Sequence, residues 1–202
     1  MLWGVTFGGA MQVPKTDRQQ ARHARVIEAT LELAAEGGYE AVQMRDVAAR
    51  ADVALGTLYR YFSSKNHLMV AALAERTAEL QQRIATRPPR GATPADRVID
   101  VLRRATRALE REPAVSSALV TALASLSADD PKALALAGDI YETIGDIITI
   151  AMHDGEVPSR EQVIRTLSHV WLAVLMAWVR GWMPASQMAR ELEQAAELLV
   201  HP

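Results

Sequence analysis

The feature that most constrains this chain is the decapeptide GTLYRYFSSK at residues 56–65. If a short helix begins at about Leu55, then Leu58 and Phe62 lie four residues apart on one face and point inward. The opposite face carries a glycine, an arginine and three hydroxyl groups, at Gly56, Arg60, Thr57, Tyr59 and Tyr61. Such a face suits the DNA major groove, where arginine reaches guanine and hydroxyl groups hold phosphates.

A second short helix precedes this one. Residues 44–51, MRDVAARA, place Val47, Ala48 and Ala51 on an inward face, and residues 52–54 form a tight corner. A short helix, a corner and a second helix with an outward hydroxyl-and-arginine face are the pattern of a DNA-binding helix-turn-helix. A helical protein-interaction module that uses the two tyrosines is the alternative, because such faces also occur at protein interfaces.

Residues 37–68, GGYEAVQMRDVAARADVALGTLYRYFSSKNHL, resemble the DNA-binding core of the TetR family of bacterial repressors. The resemblance implies a three-helix DNA-binding domain and a larger helical domain that holds a ligand and the dimer interface. The chain departs from the family at Leu55, where some members carry a polar base-reading residue, although leucine can touch a thymine methyl group. By this resemblance and the helix face, the expected DNA contacts are Arg45, Leu55, Gly56, Thr57, Tyr59, Arg60, Tyr61 and Lys65.

The fold class is all-α, since alanine and leucine are abundant and caps and helix breakers divide the chain into about nine helices. We expect residues 1–14 to be a disordered extension, with Met11 as an alternative start. Residues 15–65 are assigned to the helix-turn-helix domain and residues 66–202 to the ligand-binding and dimerisation domain. Helix four, which Ser64 caps, is expected to be the only covalent connection between the two.

Further caps delimit the later helices. Thr93 is expected to cap helix five, with Pro94 in its first turn, and Asp130 to cap helix seven. Ser159 and Gln162 have the spacing of a capping box for helix eight.

Helices eight and nine are too apolar for the surface of a monomer. Their apolar residues repeat every three or four positions and, in helix eight, extend beyond one face. The excess suggests a two-fold partner, and the family resemblance implies the same helices. We therefore expect a homodimer whose interface includes Ile164, Leu167, Trp171, Leu175, Trp178, Met188, Leu192, Ala195 and Leu199.

Helices five to eight supply an apolar, methionine-containing lining with few polar groups, which suits a large hydrophobic effector. The candidate contacts are Leu102, Thr106, Leu109, Leu119, Leu123, Tyr141, Ile144, Ile148, Met152, Trp171, Met176 and Trp178. The segments GATP and VWLAVLMAW are similar to TetR-family repressors of sterol catabolism, which implies a steroid-derived CoA thioester. A sensor of another lipid, a fatty acyl-CoA or a drug is the alternative.

Motifs for catalysis are missing from the sequence, which has no glycine-rich phosphate loop, no G-x-S-x-G and no H-E-x-x-H. The chain has no cysteine, and no His, Asp or Glu cluster has metal-ligand spacing. We expect no catalytic residues, no metal and no cofactor. No stretch reaches the ~18 uninterrupted apolar residues of a membrane span, so we expect a cytoplasmic protein without a membrane partner.

The sequence thus predicts a ligand-responsive transcriptional repressor that binds palindromic operator DNA as a dimer and is released by a hydrophobic effector. The net charge of −2 implies few phosphate contacts per subunit, so useful affinity requires two subunits. The operator sequence, the target genes and the sign of the ligand response stay open.

Overall fold

The computed structural model describes residues 17–152 and 157–200, which fold into α-helices without a strand in those ranges. The expectations for residues 1–14 and for Met11 lie outside the described residues. The helices are α1 (Asp17–Ala41), α2 (Met44–Arg50), α3 (Leu55–Tyr61), α4 (Lys65–Thr86), α5 (Pro94–Arg111), α6 (Pro113–Ala124), α7 (Pro131–Ala151), α8 (Arg160–Val179) and α9 (Ala185–Leu199). The predicted all-α class is confirmed.

The chain divides into two compact units. The described residues of the first are 17–75 and 117–140, and those of the second are 76–116, 141–152 and 157–200. The division falls inside α4, α6 and α7, so three helices run from one unit into the other. These units do not have the bounds of the two predicted domains, because the first unit takes in the corner between α6 and α7.

The end of α1 depends on two glycines. Regular helix stops at Gly37, and Gly38 has φ +67° and ψ −156°, a conformation that is essentially restricted to glycine. The helical segment then resumes as far as Ala41. The glycine pair thus turns the chain from α1 toward α2.

The first unit is built around inward faces of α1, α2 and α3. Val47, Leu58 and Phe62 are buried, as their spacing predicts. At the corner, Asp52 has φ +52°, and the Val53 amide donates to the Ala48 carbonyl at 2.9 Å. These contacts fix the angle at which α3 leaves α2.

The second unit contains a well-capped helix, α5. The Thr93 hydroxyl accepts from the Asp96 amide at 3.1 Å, and the Asp96 carboxylate accepts from the Thr93 amide at 3.0 Å. This reciprocal pair confirms the cap predicted for α5. Later along α5, Arg103 forms a two-pronged ion pair with Glu193 of α9, with both N···O distances at 2.7 Å. The ion pair joins α5 to α9 within this unit.

The capping box predicted for α8 is wrong. Ser159 has φ +54° and ψ +36°, and its side chain makes no capping hydrogen bond. An N-cap residue normally has extended backbone, which aims its hydroxyl at the first turn. Here the left-handed backbone prevents that, and only the Ser159 carbonyl joins the helix, by accepting from the Val163 amide at 3.1 Å.

Helix α8 is long and apolar enough to meet the length and hydropathy of a membrane span, with a mean hydropathy of 1.3 over its most apolar window. A core helix passes the same test, and α8 also carries Glu161, Arg165 and His169. Length and composition alone therefore do not assign this helix to a membrane.

Candidate DNA-binding site

The candidate site is the outer face of α3. Leu58 anchors the helix in the core, whereas Tyr59 on the other side is 51% exposed. Arg60, Tyr61, Leu55 and Gly56 are also exposed, and Thr57 is half-buried. The structure therefore places the α3 residues singled out in the sequence on the accessible side of the helix.

Gly56 is notable for the space around it. A Cβ atom built at this position would meet no described atom within 4 Å apart from its chain neighbours and the backbone of its own helix, and the Gly56 backbone is ordinary right-handed helix. Neither packing nor backbone conformation requires glycine here, although glycine weakens a helix relative to alanine. An approaching partner is a physical reason for a residue without a side chain.

Basic residues near α3 fall into two groups. Arg50 is held by Glu36 through two hydrogen bonds of 2.6 and 3.2 Å, and Arg25 donates from Nε to the Ala51 carbonyl at 3.2 Å. Arg45 of α2 is exposed, and the Arg60 guanidinium lies 5.5 Å from the centre of the Tyr61 ring. Arg25 and Arg50 therefore stabilise the helix-turn-helix, while Arg45 and Arg60 present positive charge at its surface.

Lys65 lies at the start of α4. Its ammonium is 3.7 Å from the centre of the Tyr39 ring, and the Tyr39 hydroxyl donates to Asn66 Oδ1 at 2.7 Å. Burial lowers the pKa of Lys65, and the nearby Glu40 carboxylate partly offsets this effect. The aromatic ring thus fixes the position of this charge beside the N-terminus of α4, where an anion is favoured.

Ser64 is the N-cap of α4, because its hydroxyl accepts from the His67 amide at 2.9 Å. The same hydroxyl donates to Asp130, which also accepts from Ser63. Sequence reasoning assigned Asp130 only to the cap of α7, a role confirmed by the Ala133 amide at 3.3 Å. The contacts of Asp130 with Ser63 and Ser64 span more than sixty residues. No local sequence motif predicts them, so sequence reasoning missed them.

The candidate effector contacts differ in exposure. Leu119 and Leu123 belong to the first unit, and the other ten belong to the second. The buried members are Leu102, Thr106, Leu119, Ile148, Met152 and Trp171. The half-buried members are Leu109, Leu123, Tyr141, Ile144, Met176 and Trp178.

The polar candidates in this set already have partners. The Thr106 hydroxyl donates to the Leu102 carbonyl at 2.9 Å inside its own helix. The Tyr141 hydroxyl lies 3.2 Å from His169 Nε2 and 3.4 Å from the Arg165 carbonyl. Tyr141 and His169 therefore form the more accessible polar pair, while Thr106 is satisfied within the core.

The assignment of apolar residues to the dimer interface needs correction. Five of them are buried within their own chain, namely Leu167, Trp171, Leu175, Met188 and Leu192. A side chain already covered by its own fold has no surface left for a partner, so these five are core residues. Ile164, Trp178, Ala195 and Leu199 remain half-buried. Between the start of α8 and the end of α9, three large apolar residues outside the predicted interface are exposed: Leu172 by 38%, Leu198 by 76% and Trp182 by 80%.

No grouping of three or more His, Cys, Asp or Glu side chains that could hold a metal ion occurs among residues 17–152 and 157–200.

Comparison with known proteins agrees with this architecture. Residues 26–72 match the family described as bacterial regulatory proteins, tetR family, and residues 91–199 match the tetracyclin repressor-like C-terminal domain. The chain belongs to the TetR family of transcriptional regulators and is a repressor of that family, not an enzyme. Regulators of this family bind operator DNA, usually as dimers, and are typically cytoplasmic.

Among its relatives are the HTH-type transcriptional repressors KstR. The chain is 42% identical to KstR of Rhodococcus jostii (strain RHA1) and 37% identical to KstR of Mycobacterium tuberculosis (strain ATCC 25618 / H37Rv), in each case over 187 residues and 92% of this chain. The alignments cover 85% and 83% of those proteins. These identities confirm the resemblance to repressors of the TetR family that the sequence indicates, and they show that this similarity extends to KstR over most of the chain.

Solved structures share the fold. A TetR transcriptional regulator from Rhodococcus sp. RHA1 superposes with a TM-score of 0.78 at 35% identity, over 91% of this chain and 98% of that one. FadR of Thermus thermophilus, solved in complex with lauroyl-CoA, has a TM-score of 0.69 at 22% identity, over 88% and 92% of the two chains. At that identity the second likeness concerns the fold alone.

Proposed function

We propose that this repressor binds palindromic operator DNA as a homodimer and is released by a bulky hydrophobic effector. The observation that carries the DNA-binding part is the outer face of α3, which combines an unexplained glycine with exposed tyrosines and an arginine. Folding does not account for this face, whereas close approach to DNA does. The operator would be read in the cytoplasm, where the chromosome lies.

The DNA contacts divide by chemistry. Arg45 and Arg60 are proposed to reach base edges, while Leu55 offers an apolar contact to thymine methyl groups. Thr57, Tyr59 and Tyr61 supply hydroxyl groups for the backbone, and Lys65 at the start of α4 neutralises a phosphate. Because Gly56 has no side chain, it allows the DNA backbone to approach α3 closely. Residues 15–65 carry this function in our proposal, and residues 66–202 carry ligand binding and dimerisation.

A dimer is needed because each subunit offers few cationic contacts and reads one half-site. We propose that α8 and α9 form the interface, with the exposed Leu172, Trp182 and Leu198 as its main apolar contacts. The half-buried Ile164, Trp178, Ala195 and Leu199 extend the surface. Exposed apolar side chains of this size favour burial against a second copy.

For the effector we propose a steroid-derived CoA thioester. Identity to KstR over most of the chain supports this choice, together with the resemblance of the sequence to repressors of sterol catabolism. FadR proteins of the same fold have been solved with lauroyl-CoA and stearoyl-CoA. A fatty acyl-CoA is therefore the second candidate effector for the apolar lining from α5 to α8.

Release requires that the effector bind one dimer geometry better than another. We propose that a ligand among α5–α8 displaces the later part of α4 around Leu80 and the buried Ile84. Because α4 continues from Lys65 as one helix, its pivot would move the recognition helix away from the major groove. A coupling of about 1–3 kcal/mol would lower DNA affinity by roughly 5- to 150-fold.

The test is a binding assay with DNA from upstream of the repressor's own gene. Choloyl-CoA as a steroid thioester, lauroyl-CoA, stearoyl-CoA and the corresponding free acids are added to the preformed complex. We expect choloyl-CoA to release the protein at the lowest concentration and its free acid to act weakly. Release by a fatty acyl-CoA alone would replace the steroid assignment, and release by none of the thioesters would refute a CoA-thioester effector.

The same assay tests DNA binding itself. Phosphate neutralisation makes DNA affinity fall steeply as salt is added, whereas an aromatic protein-interaction surface does not behave in this way. We expect specific binding that weakens with salt. A protein with no preference for any DNA fragment from its own locus would contradict the proposed function.

A further inference from the structure

A polar cluster joins the corner before α4 to the corner before α7. The Asp130 carboxylate accepts hydrogen bonds from the Ser64 hydroxyl at 2.7 Å and from the Ser63 hydroxyl at 3.0 and 3.1 Å. It also accepts from the Ala133 amide at 3.3 Å, as the cap of α7. All four residues lie in the first compact unit. One carboxylate therefore ties the end of the helix-turn-helix to the start of a later helix.

The hydroxyl groups are fully used. Ser64 donates to Asp130 and accepts from the His67 amide at 2.9 Å, so one hydroxyl both caps α4 and contacts the carboxylate. The Ser63 amide donates to Nδ1 of His67 at 3.1 Å, and the Ser63 hydroxyl lies 2.9 Å from the same nitrogen of this buried imidazole. Burial lowers the pKa of His67, while the charge of Asp130 has the opposing effect. The lowered pKa favours the neutral imidazole, whose Nδ1 can accept a hydrogen bond. The serine pair is thus held in one orientation from two sides.

A second contact joins the same two corners. The Asn66 side-chain amide donates to the Ser125 carbonyl at 3.3 Å, just after α6. Asn66 also accepts from the Tyr39 hydroxyl, whose ring lies under the Lys65 ammonium. The corner between α6 and α7 is therefore attached to the start of α4 at two points, and both adjoin residues of the proposed DNA surface.

The Asp130 carboxylate is charged at neutral pH. Its burial alone would raise the pKa of the carboxyl, but the hydrogen bonds from Ser64, the Ala133 amide and Ser63 lower the pKa below its usual value. The cluster borders an open groove of about 430 Å³. Hydrogen bonds to a charged group are stronger than neutral ones.

We propose that Asp130 is a positioning residue for operator binding: through Ser63 and Ser64 it sets the orientation in which α3 meets the DNA. The proposal rests on the proposed function, because it concerns the same DNA surface. Asp130 itself precedes Pro131 on a different part of the chain and is not among the residues proposed to touch DNA. Its effect on the operator would be transmitted through the short segment that ends α3 and begins α4.

The test separates this role from the capping of α7. In Asp130→Ser the shorter side chain can still cap the helix but cannot reach Ser63 or Ser64. We expect about tenfold weaker operator binding, with unchanged affinity for random DNA and an unchanged salt slope. Ser63→Ala removes a contact from the other side and should act in the same direction. The double variant should bind no more weakly than Asp130→Ser, because both changes remove the same interaction.

Asp129→Ser is the matched control, since it removes a neighbouring carboxylate and should bind operator like the wild type. Amide exchange without DNA gives an independent measurement: Asp130→Ser and Ser63→Ala should speed exchange within residues 55–62. If Asp130→Ser fails to fold, Ser63→Ala decides the outcome.

The proposal is overturned if a folded Asp130→Ser variant keeps wild-type operator affinity and exchange. It is also overturned if operator and random DNA lose affinity by the same factor, or if the effects of the two substitutions multiply. Failure of the proposed function is a different result, namely a wild-type protein without sequence preference for any DNA of its locus. In that case the exchange measurement still shows whether Asp130 orients α3.

Discussion

At the scale of single residues, Gly56 separates the demands of folding from those of DNA binding. Apart from neighbouring residues and the backbone of its own helix, no described atom lies within 4 Å of the position that a Cβ atom would occupy there. Gly56→Ala should therefore raise the free energy of unfolding by about 0.5–1 kcal/mol, because alanine is the better helix residue. The added methyl group should nevertheless weaken operator binding by about tenfold, a change of about 1.4 kcal/mol. Thermal unfolding and operator titration measure the two effects.

Gly145→Ala provides the control for this substitution. Gly145 lies inside α7, and an added Cβ would make an ordinary contact of 3.5 Å with Ile164. The control should gain stability in the same way and keep its operator affinity. If Gly56→Ala is stabilised and binds operator as tightly as the wild type, the face of α3 does not approach DNA as we propose.

The proposed phosphate contact and the proposed base contact should have different effects on DNA binding when they are removed. Lys65→Ala should weaken binding to all DNA alike and reduce the salt slope by about one unit, because Lys65 is assigned to a phosphate. Arg45→Ala should cost roughly 1–3 kcal/mol on the best site and blur its sequence preference. Lys132→Ala is the control for Lys65, since Lys132 is exposed at the start of α7. Equal losses on specific and random DNA for both variants would refute this division.

At the scale of helices, features that depend on neighbouring residues could be predicted from the sequence, whereas contacts between distant segments could not. The inward spacing of Leu58 and Phe62 and the cap at Thr93 depend on neighbouring residues, so the sequence alone predicts them. The cap at Ser159 failed because the backbone there is left-handed, which a capping motif does not reveal. The contact of Asp130 with Ser64 joins distant segments and has no sequence pattern.

Helix α8 shows a further limit of sequence reasoning. It is apolar on more than one side, so periodicity alone cannot distinguish the face toward its own core from the face toward a partner. Leu167 and Leu175 proved to be core, while Leu172 is exposed. The apolar side chains available to a partner are those that stay exposed in the folded chain, such as Leu172, Trp182 and Leu198.

The dimer can now be tested at positions where a monomer tolerates charge. A charge at Leu175 would unfold the chain, since that residue is buried. Trp182→Glu and Leu198→Glu should instead leave the fold intact, dissociate the dimer and abolish tight operator binding, as two half-sites must be read together. Sedimentation and operator titration test this expectation.

Leu134→Glu is the matched control, because Leu134 is 39% exposed but lies in the first unit near the start of α7. It should stay dimeric and bind operator normally. A folded, monomeric Trp182→Glu protein with wild-type operator affinity would show that DNA binding does not need the dimer.

At the scale of the whole molecule, the account requires that the effector and operator sites be coupled. Helices α4, α6 and α7 each have one part in the unit that contains the recognition helix and the other part in the second unit. An effector that shifts the equilibrium between two dimer geometries changes DNA affinity by the ratio of its affinities for those geometries. Coupling between two binding sites is reciprocal, so operator DNA must weaken effector binding by the same factor.

The most direct test is therefore to measure the affinity of the dimer for choloyl-CoA, or for whichever CoA thioester releases it, with and without saturating operator. We predict that operator lowers this affinity by about 5- to 150-fold, equal to the factor by which the thioester lowers operator affinity. Equal ligand affinities in the presence and absence of operator would contradict the account, because such a ligand could not release the repressor.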